Sequence, residues 1–191
     1  MKIVPTFATQ NKTEGLFAIH FDNEENDELE KCVENWFDTA YLYNFFNDNI
    51  NDLNSGYYGK PVSIPQAIKF TRQEAEILFQ ALEDLALQGA DNNFKNLSAI
   101  FQPLRNEEYG TVDLQKVKAK TNIEKKWLRI YAIKISPNTF IITGGAIKLV
   151  RAMQDNYQLL QEKQKLDHIK EFLQEEGIFD QEDFEVYILK L

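Results

Sequence analysis

The residues with the most chemical promise lie in one short stretch. In Leu128-Arg129-Ile130-Tyr131-Ala132-Ile133-Lys134-Ile135, strand alternation puts Arg129 and Tyr131 on one face, two residues apart. A guanidinium beside a phenol can hold a phosphate and stack a base, a pairing that RNA-binding sheets use. The same pair can equally be a cation–π contact or an arginine folded along a sheet edge. Further basic residues collect around it. Residues 95–152 carry 11 Lys/Arg against 4 Asp/Glu, among them Lys118, Lys120, Lys134, Lys148 and Arg151. Residues 1–94 carry 6 against 16, and residues 153–191 carry 4 against 10. A basic centre inside a chain of net charge −9 either meets an anionic partner or is neutralised by its acidic flanks.

Other chemistries find little support. His20 and His168 are the two histidines, and neither has a second ligand at helical or hairpin spacing, so no metal centre is expected. The acidic run Asp22–Glu28 lacks the central glycine and spaced glutamate of a calcium loop and reads as a solvated connector. Cys32, the one cysteine, excludes a disulfide framework and falls on an apolar helical stripe, as a buried inert thiol would. Gly144-Gly145 lacks the rest of a phosphate-binding loop and reads as a bulge or a close backbone approach. No cofactor is implied. The apolar share of 43% is enough for one well-packed domain. No apolar run is long enough to cross a membrane and MKIVPTFATQNK has no secretory core, so a cytoplasmic protein is expected.

Periodicity predicts the elements that must position these residues. Gly15–Asp22 alternates as a strand, and Leu29, Cys32, Val33, Trp36 and Phe37 form the stripe of a helix over Asp27–Phe37. Thr39 caps a second helix to about Leu53, with Leu42, Phe45, Phe46 and Ile50 inward. Asn54-Ser55-Gly56, Pro61 and Pro65 mark a loop. Thr71 and Glu74 read as a capping box opening a helix to about Gln88, with Ala75, Leu78, Phe79, Leu82 and Leu85 buried and Gly89 as its stop. Leu97, Ile100, Phe101 and Leu104 give a helical turn ended near Pro103. Val112–Lys120, Trp127–Ile135 and Thr139–Thr143 read as strands, the last two a hairpin through Ser136-Pro137-Asn138. A helix returns from about Leu149, carrying Leu159, Leu166, Ile169, Phe172 and Leu173, and stops at Gly177. Asp180 and Asp183 cap a last turn or helix bearing Phe184, Tyr187, Ile188 and Leu191. The order predicts an α+β fold, a small antiparallel sheet with helices on one face. An acidic strand-plus-helices region (1–94) packs on the same core as the sheet and C-terminal helices (95–191).

The stretch LRIYAIKISPNTFIITGGAIKLVRAMQ resembles the C-terminal half of RelE/HigB-type toxins of the RelE/ParE superfamily. Their pattern is roughly R-I-L-Y, a hydrophobic strand, H-G-F-x-K-K and a helix. Leu128–Ile133 stands for the first strand, Phe140–Thr143 for the second and Gly145–Lys148 for the end of the motif. FKNLSAIFQPLRNEEYGTVDLQKVKAK is similar in outline to the segment that joins the family's helices to its sheet. The resemblance implies a RelE-like sheet and ribosome-dependent cleavage of mRNA, with a helix-turn-helix antitoxin as partner. Carried over position by position, it makes Arg129, Tyr131 and Lys148 the catalytic residues. Lys118, Lys120, Lys134 and Arg151 are the expected RNA-binding residues around them. The motif's His, Phe and second Lys positions hold Gly144, Ala146 and Leu149. A second reading is therefore a non-catalytic protein- or RNA-interaction module on the same scaffold.

Overall fold

The computed structural model describes residues 1–8, 13–89, 96–104, 114–122, 126–153 and 156–190. Six strands make one sheet: β1 (Lys2–Ala8), β2 (Gly15–His20), β3 (Phe101–Pro103), β4 (Gln115–Ala119), β5 (Leu128–Ser136) and β6 (Thr139–Ile147). Their order is β1-β2-β6-β5-β4-β3. Every pairing is antiparallel except β2 with β6, which run parallel from Gly15↔Thr139 to Ala18↔Ile142. The α+β class stands, with a mixed sheet in place of an antiparallel one. Parallel neighbours need a long crossover, and everything between β2 and β6 supplies it.

Helices cover both faces of the sheet, not one. α1 (Glu28–Phe37), α2 (Thr39–Asp48), α3 (Ile50–Leu53) and α4 (Ile64–Gly89) pack on the face that carries Leu16, Ala18, Leu128, Ile130, Ala132, Phe140 and Ile142. α5 (Tyr157–Glu175) and α6 (Gln181–Ile188) cover the face that carries Phe17, Ile19, Tyr131, Ile133 and Ile141. This division follows from the sequence of the central strands. β2 and β6 are apolar at consecutive positions, as strands buried on both faces must be. Among the described residues no helix is long and apolar enough to cross a membrane.

The hairpin of β5 and β6 turns at Pro137-Asn138, and it is tied down from outside. Gly15 N–H donates to the Asn138 carbonyl at 2.9 Å, and the Ser98 hydroxyl donates to the Pro137 carbonyl at 2.7 Å. Opposite Tyr131 and Ala132 the β6 partners skip from Gly144 to Ile142, so Thr143 is an extra residue in a bulge. The neighbouring glycines are close approaches. A Cβ on Gly145 would lie 2.7 Å from Cys32 Sγ and 2.9 Å from the Arg129 carbonyl. Cys32 is buried there, and desolvation pushes its thiol pKa up, as for an inert core cysteine.

Several local expectations need correction. Asp38, not Thr39, caps α2, accepting from Tyr41 N–H, and Ile50 and Val33 are exposed. Residues 97–99 form one 3-10 turn, after which Phe101–Pro103 is an edge strand. Helix α5 begins at Tyr157, with Asn156 as its cap, so residues 149–152 are an irregular connection. The acidic run is exposed from Asp22 to Glu25 but leaves solvent at its end. Asp27 caps α1 in a capping box with Glu30, and Glu28 is buried against Lys165. Strand β1 has no counterpart in the periodicity reading. Residues 111–113 and 191 lie outside the described residues.

The largest correction concerns α4. Its start is Ser63, whose N–H donates to the Gln66 side chain while Pro65 sits in the first turn. Thr71 and Glu74 are therefore one turn apart inside the helix, and both are fully buried. The Thr71 hydroxyl donates to the Ala67 carbonyl and accepts from Trp127 Nε1 at 2.9 Å. The Glu74 carboxyl accepts from Thr121 Oγ1 at 2.9 Å, Trp127 N–H at 2.9 Å and Leu128 N–H at 3.1 Å. Three donors satisfy a carboxyl that would otherwise be an isolated polar group in an apolar layer. They also fix where β5 begins.

Burial nonetheless outweighs these donors and pushes the Glu74 pKa up to about 7. The folded protein then holds this proton more tightly than the unfolded chain, whose carboxyl titrates near 4.5. The associated stability is complete below pH 4.5 and is lost as pH rises through 7. Between pH 5 and 8 the wild type should lose on the order of 3 kcal/mol relative to Glu74→Gln. Urea titrations of both proteins across that range measure it; parallel pH profiles would contradict it. In the aromatic core, Phe46 is fully buried against Trp127, whereas Phe79 is half-buried and stacked on Trp36. Phe46→Ala should cost about 3–5 kcal/mol and Phe79→Ala about 1–2 kcal/mol in a denaturant titration.

Candidate functional site

On the α5 face, where β5 meets β4, the sheet floors a cleft of about 330 Å3. Alternation along β5 turns Arg129 and Tyr131 toward it, and the pairing of Lys118 with Tyr131 brings in a lysine from β4. The 148–153 connection adds Lys148 and Arg151, and α5 adds Leu160 and Lys163. Five cationic side chains thus surround one opening, with no carboxylate among the described lining residues.

The structure brings Arg129, Tyr131, Lys148, Lys118 and Arg151 together and leaves two expected residues out. Lys134 faces the opposite side of the sheet, beside Phe101, Val117 and Phe140. Its even number within β5 already placed it there, since Arg129 and Tyr131 are odd. Lys120 follows the last residue of β4 and does not line the cleft. Lys163 is the residue that sequence reading missed. It stands four residues after buried Leu159 and three before buried Leu166, a spacing that puts it beside the sheet-facing stripe.

Tyr131 takes a different role from the one its type suggested. Its side chain is 1% exposed and belongs to the core beneath α5, so its ring is closed to base stacking. Its hydroxyl is buried and has no hydrogen-bond partner among the described residues. Burial pushes its pKa well above the usual phenol value, so the group is a neutral donor. Arg129 is held by its own chain, Nη1 donating to the Lys126 carbonyl at 2.9 Å and the Leu128 carbonyl at 2.6 Å. Among the described residues the cation–π contact is Lys31 over Phe21, not Arg129 over Tyr131. Lys118 donates to the Leu104 carbonyl at 3.1 Å. Burial, then the charges of Lys120 and Arg129, lower the Lys118 pKa.

Among the described residues, the C-terminal acidic flank meets the basic centre from α5. Asp167 of α5 pairs with Lys116, one strand position before the cleft's floor. A larger network holds α5 in place. Lys165 bridges Glu162 of its own helix and Glu28 of α1, beside Gly144. Beyond Ile142 no further β2 residue pairs with β6, so this is where helices from the two faces can join. The α1–α5 bridge fixes the helix that carries Leu160 and Lys163 over the cleft.

A buried hydroxyl without a partner costs folding energy that a ring hydrogen would not. Tyr131→Phe should therefore leave the protein as stable as the wild type or more so, by about 1 kcal/mol. A denaturant titration in the absence of added anions measures this, and a loss of stability would mean that the hydroxyl has a protein partner. No protein-family model, curated protein or solved structure matches the chain.

Proposed function

We propose that the cleft binds the phosphodiester backbone of single-stranded RNA. The observation that carries this reading is the grouping of five cations around one cleft that Tyr131 also lines, its hydroxyl buried and unpartnered, without a carboxylate among the described lining residues. A phosphate oxygen would give that hydroxyl its missing acceptor, and the surrounding ammonium and guanidinium groups would offset the charge. A walled cleft concentrates the field of its own cations, so the chain's net charge of −9 does not cancel it locally. The resemblance to RelE/HigB-type toxins supports RNA as the source of the phosphate, because its matched positions Arg129, Tyr131 and Lys148 all line this opening.

A second reading, a ribosome-dependent mRNA endonuclease restrained by a helix-turn-helix antitoxin, is favoured by one observation. Lys118 stands opposite Tyr131 and its pKa is lowered. A lysine beside the phosphate can, in its neutral form, take the proton of an attacking ribose 2′-hydroxyl. The 2′-oxygen would bond to phosphorus as the bond to the 5′-oxygen breaks, the leaving oxygen would take a proton from water, and Arg129 and Lys148 would offset the charge that develops on the phosphorane. The products would be a 2′,3′-cyclic phosphate and a 5′-hydroxyl.

Both readings are tested with a labelled single-stranded RNA. Fluorescence anisotropy should give an affinity that falls with salt, with a log–log slope of about −0.7 for each phosphate contacted. Arg129→Ala/Lys148→Ala should weaken binding at least about tenfold and flatten the slope by about 1.4. Unchanged affinity and slope would remove the cleft from any RNA contact. With ribosomes and mRNA, cleavage by the wild type that Lys118→Met loses, while still binding RNA, would select the endonuclease; binding without cleavage would select the interaction module.

A further inference from the structure

The basic cleft does not end at Arg151. The same side chain also borders a shallower groove of about 520 Å3, formed by residues 149–151 on one side and Asp52, Ser55, Gly56 and Tyr57 on the other. The second wall comes from α3 and the loop after it, so two segments distant in sequence build one path. Tyr57 is 49% exposed. Its ring meets that of Tyr58 edge-on at 4.8 Å, and Tyr58 meets Trp127 edge-on at 5.9 Å. This chain of rings steadies Tyr57 against the start of β5 while leaving much of it in solvent. The Tyr58 phenol also lies by the Arg129 guanidinium, linking the ledge to the cleft from beneath.

The chemistry changes along the path. The cleft offers positive charge and a buried donor, whereas the groove offers one arginine, an aromatic side chain and the Asp52 carboxylate. A phosphate would be repelled by Asp52, but a base can stack on a tyrosine and donate from its edge to a carboxylate. An extended nucleotide strand presents this alternation of anionic backbone and flat, donor-bearing base. An inorganic anion or a phosphorylated side chain does not.

We propose that Tyr57 is the base-stacking platform of an extended single-stranded RNA site, which begins in the basic cleft and crosses Arg151 into the neighbouring groove. This rests on the RNA-binding reading of the cleft and adds the position and the residue that receive the base. It also accounts for the aromatic contribution that buried Tyr131 cannot make.

The experiment compares a six-nucleotide RNA with an abasic strand of the same length and charge, by anisotropy, on wild type, Tyr57→Ala, Tyr57→Phe and Arg129→Ala/Lys148→Ala. Tyr57→Ala should lose about tenfold or more in affinity for the RNA and nothing for the abasic strand. Tyr57→Phe should restore the loss, because a phenyl ring also stacks. Equal losses on both strands would mean that Tyr57 acts through the loop's conformation, and would overturn the proposal. So would an unchanged affinity of Tyr57→Ala alongside a weakened Arg129→Ala/Lys148→Ala, although the RNA-binding reading would survive. A wild type that binds neither strand better than the double variant would overturn both.

Discussion

The buried carboxyl of Glu74 is the fixed point on which the arrangement depends. It joins a long helix to the first residues of β5 through two backbone N–H groups, and Thr71 adds the Trp127 indole one turn earlier. Strand alternation has a period of two, so a one-residue slip in β5 would turn Arg129 and Tyr131 to the other face. The hydrogen bonds to Trp127 and Leu128 oppose that slip. They do so from the side of the sheet opposite the cleft, and no carboxylate is among the cleft's described lining residues. The energetic cost of burying Glu74 is thus spent on register.

The second constraint is the sandwiching of the central strands. β6 lies between β2 and β5, and its consecutive apolar residues feed two cores at once. Only near Gly144 and Gly145 does this pattern stop. There α1 side chains approach from one face and α5 side chains from the other, and Lys165 joins the layers through Glu28 and Glu162. Polar groups in this position hold α5 at a set height over the sheet. That height gives the cleft its wall, because Lys163 and Leu160 come from the turns just before Lys165.

Much of this was legible in the residues. The hairpin of β5 and β6 follows from alternation around Pro137-Asn138, and same-face spacing puts Arg129 beside Tyr131, while the family resemblance singles out Lys148 and the basic segment around it singles out Arg151. The errors have physical causes. Thr71-x-x-Glu74 has the spelling of a capping box, but i and i+3 also share a helix face, so the same two residues can serve a buried network. The earlier Ser63-x-x-Gln66, with Pro65, carried the true start. The parallel β2–β6 pairing was not legible, because local patterns specify a strand and not its distant neighbour. The burial of Tyr131 was not legible either: an aromatic beside an arginine reads alike whether the next helix covers it or solvent does.

The central claim is that the Tyr131 hydroxyl and the cations around it form a seat for an RNA phosphate. A crystal structure of the protein with a short single-stranded RNA carrying one phosphorothioate tests it most directly, since anomalous scattering marks the sulfur. The account predicts a phosphate in the cleft, with one oxygen at about 2.7 Å from the Tyr131 hydroxyl, the usual hydroxyl–oxygen separation. RNA bound on another surface, or a cleft whose Tyr131 hydroxyl still lacks a partner in the complex, would contradict it.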